Sequence, residues 1–185
     1  MKKFLACFMA LMLSGCFFST KNSTFYLLES IKEETSPVSD KKISIGVADI
    51  LVPDYLQKPQ IVLQQKDSPE LKVSEFNRWA SDLEGMIQNT LIEDFQKMLP
   101  KASIGPLMFG QNAQYVVKIE IEKMSGYLGE NAILKGTWQI VSSYDKVLKK
   151  SDFNLQTPAG QTYASYVLAQ SRLLSALALD IASKL

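Results

Sequence analysis

Tyr115-Val116-Val117-Lys118-Ile119-Glu120-Ile121-Glu122 decides the fold class. Tyr115, Val117, Ile119 and Ile121 stand at every second position, against Val116, Lys118, Glu120 and Glu122. A period of two puts one set on a buried sheet face and the other in solvent. Downstream, Gly126 and Gly129 mark a turn, and Leu134, Gly136, Trp138 and Ile140 share one face of a second strand. Ser142 to Lys146 marks another turn, after which Phe153, Leu155 and Thr157 alternate along a third strand. Three consecutive strands joined by short turns form an antiparallel meander.

On either side of this meander the period changes. Trp79, Leu83, Met86, Ile87, Leu91, Phe95 and Met98 recur every three or four residues, predicting a helix that begins at Trp79 and stops before Pro100. Asp82 and Glu84 suit its first turns, where negative charge complements the helix dipole. Gly160 to Leu185 reads as a second helix, with Tyr163, Tyr166, Val167, Leu173, Leu174, Leu177 and Ile181 on its apolar face. Nearer the start, Phe25-Tyr26-Leu27-Leu28 reads as a short strand, and Ile43, Ile45 and Val47 alternate in another. Beyond Ala48 the apolar set shifts phase to Ile50 and Val52, which predicts a bulge near Ala48-Asp49. Asp67-Ser68-Pro69-Glu70 is a turn signal that pairs Ile61-Val62-Leu63 with Leu71-Lys72-Val73 as a hairpin. The expected architecture is therefore α+β: an antiparallel β-sheet with two main α-helices packed on it, in a single domain.

Composition narrows the chemistry. The 185 residues contain no histidine and two cysteines, which excludes imidazole-based nucleophile activation and His-ligated metals. A formal net charge of +1 gives no broad basic surface, so no nucleic-acid partner is expected. Ser-x-x-Lys occurs at Ser39/Lys42 and Ser143/Lys146, but in loops and without companion motifs. Glu120 and Glu122 share a solvent-facing strand side rather than a cleft. No catalytic residue, metal site or cofactor is assigned; the chain reads as a non-enzyme.

The first residues point to the cell envelope. Lys2 and Lys3 precede an uncharged apolar stretch from Phe4 to Leu13, too short for a membrane-spanning helix but suited to a signal-peptide core. It ends at Leu13-Ser14-Gly15-Cys16, which resembles a bacterial lipobox. That resemblance implies cleavage before Cys16, acylation of its sulfur and of the new amino terminus, and hence a lipid anchor in the membrane. Residues 1–15 are then a lipoprotein signal peptide, 16–23 the lipidated cysteine and a short tether, and 24–185 the folded domain. Phe17 and Phe18 follow the cysteine with no retention aspartate, which leans toward the outer membrane, with the body facing the periplasm.

Val52-Pro53-Asp54-Tyr55-Leu56-Gln57-Lys58-Pro59-Gln60-Ile61-Val62 resembles the Pro-x-Tyr-Leu segment of the PqiC-like lipoproteins, auxiliary components of ABC-type and MCE-type transport systems. Phe76-Asn77-Arg78-Trp79-Ala80-Ser81-Asp82-Leu83 resembles that family's Arg-Trp-Ala helix start. The resemblance implies a docking subunit for an MCE-domain protein and ABC-type lipid transport components, serving envelope integrity. It also leaves a homo-oligomeric ring open.

Pro53, Asp54, Tyr55, Leu56 and Pro59, in a proline-stiffened loop, and Tyr127 and Leu128, between two glycines, are the candidate partner-binding residues. Each set also has a packing explanation, while Trp79 and Trp138 read as core anchors. Two other roles share the same anchor: a lipid-binding carrier holding an acyl chain between helix and sheet, and a pilotin-like lipoprotein of another envelope complex. Two or three acyl chains, at roughly 0.8 kcal/mol per buried methylene, hold a protein on a membrane almost permanently. Replacing Cys16 with alanine is therefore expected to move the protein from the membrane fraction to the soluble one, checked by fractionation and immunoblotting.

Overall fold

The structure is a computed structural model that describes residues 21–31, 37–65, 67–107 and 113–185. The signal segment, Cys16 and the start of the tether lie outside the described residues. Among the described residues, eight strands and two main helices follow in the order β1 (Thr24–Tyr26), β2 (Ser44–Val47), a 3-10 turn (Asp54–Leu56), β3 (Gln60–Gln64), β4 (Leu71–Trp79), α1 (Leu83–Met98), β5 (Ser103–Pro106), β6 (Tyr115–Gly126), β7 (Asn131–Ser142), β8 (Val147–Pro158) and α2 (Tyr163–Ala182). The α+β class, the meander β6-β7-β8 and both helices match the sequence expectation. The β3-β4 hairpin also forms, with Val62 opposite Val73 and Leu63 opposite Lys72.

The strands divide into two sheets, ordered β5-β2-β6-β7-β8 and β1-β4-β3. Within them, β2 pairs in parallel with both β5 and β6, and β1 in parallel with β4, so parallel pairs join the antiparallel ones. Parallel neighbours need a crossover connection, and α1 supplies part of it between β2 and β5. Strand periodicity shows which face is buried but not which strand lies alongside. The expected bulge is present: Ala48 N–H bonds to the Val117 carbonyl (2.9 Å) and Leu51 N–H to the Ile119 carbonyl (3.1 Å). Three residues of one chain thus oppose two of the other, which returns Ile50 to the core.

The first helix starts later than its apolar period suggested. Trp79 is the last residue of β4, and the helix begins at Leu83 with Asp82 as its cap. The Asp82 carboxylate accepts from Gly85 N–H at 2.7 Å, so it satisfies a free donor of the first turn. That bond, with a second from the Ser81 hydroxyl, holds the Asp82 pKa below the usual carboxylate range. Trp79 is nevertheless buried, so the helical period and the strand end feed one core.

That core lies between the five-stranded sheet and the helices. Trp138, Tyr166, Phe95, Leu134 and Ile140 are among its largest fully enclosed side chains. Polar edges of the aromatic residues are matched: Trp138 Nε1 donates to Asp180 Oδ2 at 3.0 Å. Gln170 Nε2 donates to the Tyr166 hydroxyl at 3.1 Å and to the Ser125 carbonyl at 3.0 Å. Burial pushes the Tyr166 hydroxyl far above its usual pKa, so it stays neutral. Asp94 on α1 is buried and accepts from the Ser30 hydroxyl, which in turn receives Lys97 Nζ. Burial raises the Asp94 pKa, with the Ser30 bond and the Lys97 charge opposing. This cluster fastens the chain after β1 to α1.

The opposite face of the large sheet is polar over most of its area, but at one end Val116, expected to face solvent, is buried with Ala113 and Val141 in a second small apolar cluster against Leu107 and Ala48. Lys118 pairs with Asp145 and Lys135 with Glu122, both at 2.6 Å, and the Thr137 hydroxyl donates to Asp152. At the centre of the sheet, Glu122 is squeezed out of register between Ile121–Gly136 and Lys123–Lys135. Gly136 faces this bulge, and a Cβ there would lie 2.0 Å from the Glu120 carbonyl oxygen and 2.8 Å from Phe153 Cζ. A Cβ on Gly105, in β5, would meet nothing within 4 Å. Gly136→Ala is thus expected to destabilise by about 1–3 kcal/mol through overpacking, and Gly105→Ala to stay within roughly 0.5 kcal/mol of the parent; urea denaturation distinguishes them.

Candidate functional site

The two segments that carry the family resemblance meet in space. Gln60 of β3 lies opposite Arg78 of β4, which lies opposite Phe25 of β1. Trp79 N–H donates to the Pro59 carbonyl at 2.7 Å, and Ala80 N–H to the Tyr26 carbonyl at 2.9 Å. These bonds fix the end of β4 between the proline loop and β1. A half-open groove of about 510 Å³ results, with Phe25, Lys58, Pro59, Trp79, Asp82 and Leu83 among its walls. Its walls combine apolar Phe25, Trp79 and Leu83 with both charge signs at Lys58 and Asp82, which suits recognition of an amphipathic surface.

The proline loop is folded into a 3-10 turn that sequence reading did not anticipate. Its inner side serves the core. Leu56 is buried, and Tyr55 is half-buried against the main cluster. Burial raises the Tyr55 pKa, and a hydrogen bond with the Met124 backbone works against that rise. Of the candidate residues in this loop, Asp54 and Pro59 are exposed and Pro53 is half-buried; Gln57 and Lys58 stand exposed beside them.

Tyr127 and Leu128 occupy the β6-β7 turn, closed by Tyr127 N–H to the Asn131 carbonyl and requiring Gly129 at φ +87. Tyr127 is half-buried and Leu128 only marginally exposed. Because Met124 stands just before this turn, the Tyr55 bond brings both candidate loops to one end of the molecule. Both helices begin at that end: α1 follows the groove, and α2 follows the end of β8 that pairs with Asn131.

Two apolar surfaces were not anticipated as functional. Phe25 and Leu27 are 61% and 54% exposed beside the groove. The strand expected over Phe25–Leu28 ends at Tyr26, yet the alternation with the inward-packed Tyr26 and Leu28 continues past it and was a readable signal, since an extended stretch apolar on both sides has one side to spare. At the other end of the molecule, Tyr144 in the β7-β8 turn is 93% exposed, with Val147 and Leu148 next to it. There the turn signal was read, but a tyrosine inside it was not weighed.

Comparison with known proteins now bears on the groove. The family of ABC-type transport auxiliary lipoprotein components matches residues 26–182, a span that holds both segments forming it. The chain belongs to this family. Intermembrane transport lipoprotein PqiC of Escherichia coli (strain K12) is 29% identical over 157 residues, covering 84% of this chain and 82% of that protein. The Shigella flexneri protein of the same name matches equally.

Two crystal structures share the fold. One, of a protein described as uncharacterized, has a TM-score of 0.75 at 19% identity, covering 89% of this chain and 99% of the other. A Xanthomonas campestris protein has a TM-score of 0.69 at 16% identity, covering 87% and 93%. A transport auxiliary lipoprotein family is not an enzyme class. Among the described residues, no helix is long and apolar enough to cross a membrane.

The division of the proline turn into an inner and an outer side is open to measurement. Tyr55→Phe removes one hydrogen bond from a half-buried site and is expected to cost about 1 kcal/mol. Asp54→Ala and Lys58→Ala, on the outer side, are expected to stay within roughly 0.5 kcal/mol of the parent. Thermal denaturation of the three variants makes the comparison.

Proposed function

We propose that this protein is a non-catalytic docking subunit of an MCE-type, ABC-transporter-linked phospholipid transport system, held at the outer membrane by acylated Cys16. The observation that carries the reading is the groove: the two segments most like the family build one surface. Pro53, Asp54, Pro59 and the Tyr127–Leu128 turn, with Lys58, form the partner face, while Tyr55 and Leu56 hold it rigid from beneath. A tunnel that passes phospholipid must open against a bilayer, so a grip at the anchored end of the body suits that task.

The filled interior supports docking over lipid carriage. An acyl chain lodged between helix and sheet would need space that Trp138, Tyr166, Phe95 and Leu134 already occupy. On the outer sheet face the apolar cluster of Ala113, Val116 and Val141 is small and bordered by the Lys118–Asp145 pair, a short bed for an acyl chain.

Site-specific photo-crosslinking in cells tests the partner. A crosslinker at position 58 is expected to capture an MCE-domain protein, identified by mass spectrometry, and one at the outward-facing position 150 of β8 is expected to capture less of it. Capture of an unrelated envelope machine at position 58, with no MCE protein, would overturn the reading in favour of a pilotin-like role.

A further inference from the structure

We infer that the outer side of β1 and of the residues just after it is a lipid-contacting surface, with Phe25 and Leu27 entering the headgroup layer of the membrane that holds Cys16. The inference rests on the anchor proposed above and adds to it an orientation for the body.

Three observations carry it. First, Phe25 in β1 and Leu27 just beyond its end are each more than half exposed, while Tyr26 and Leu28 between and after them pack inward. Large apolar side chains in water at a fixed edge are a surface waiting for an apolar medium. Second, Cys16 lies only eight positions before Thr24, a reach of about 27 Å at full extension. Lys21 Nζ sits 5.5 Å from the centre of the Phe76 ring, so the free span shortens to the five positions from Cys16 to Lys21, about 17 Å. An anchored chain therefore cannot carry β1 far from the bilayer. Third, Lys21 is exposed on the tether side of these residues, where phosphate groups of a headgroup layer would meet it.

The orientation follows. The helices start at the β1 end, and Lys149 Nζ donates to the Lys184 carbonyl, placing the end of α2 beside the start of β8. With 20 residues α2 is about 30 Å long. The Tyr144 turn is thus held about that distance from the lipid.

The test uses the full lipidated protein in phosphatidylethanolamine–phosphatidylglycerol vesicles containing acyl-brominated lipid, with the parent's tryptophan signal subtracted. Phe25→Trp is expected to show blue-shifted emission that brominated lipid quenches, and Tyr144→Trp emission typical of water that it does not. If the protein sediments with the vesicles but Phe25→Trp stays unquenched, or both positions quench alike, the lipid contact is overturned and the anchor stands. A chain that does not sediment with the vesicles overturns the anchor, and the contact with it.

Discussion

The structure depends on the seating of α2 across the five-stranded sheet, with Trp138 at the centre of the contact. Fully burying an aromatic side chain contributes a few kcal/mol, but only when its polar edge is also satisfied. Asp180 on α2 does this for the indole N–H, and Gln170 does it for Tyr166 one turn away along the same helix. The meander supplies a broad apolar face, and α1 lies beside α2 to cover the remainder. Everything at the groove end is positioned by this arrangement. The 3-10 turn rests on β6 through Tyr55, and β4 can end at the proline loop because Trp79 is buried in the same core.

Much of this was legible in the sequence where one side of an element is wet. The alternation along Tyr115–Glu122 and the stripe Leu83 to Met98 both correspond to buried faces, and even the phase slip at Ala48–Asp49 corresponds to a bulge. Periodicity failed where tertiary packing overrides it. Trp79 continues the stripe of α1 in spacing yet ends a strand, because Asp82 caps the helix three residues later. The four-residue β5 was invisible, since Gly105 and Pro106 carry no strand signal. Parallel pairing of β2 also left no mark, because neighbour choice depends on the path of the whole chain.

The site shows the same division. Proline and tyrosine in one loop indicated either a rigid surface feature or packing of Tyr55 beneath the turn; the structure packs Tyr55 and Leu56 inward and leaves Asp54, Lys58 and Pro59 outside. The meeting of that loop with the Arg78-Trp79 segment needed the register of β3 on β4, which residues 53–59 alone do not contain. Once the two are joined, an open groove is left on a body whose interior is full. Family membership gives an auxiliary role within a transport system, and the geometry supports the proposal that the body grips and orients while another protein moves the cargo.

The central claim is that a covalently greased cysteine presents this face beside a bilayer. Intact-mass measurement of the protein extracted from membranes addresses it most directly. The account requires a chain that starts at Cys16 and carries the added mass of two or three acyl groups. A chain retaining residues 1–15, or one whose Cys16 bears no acyl group, would contradict it.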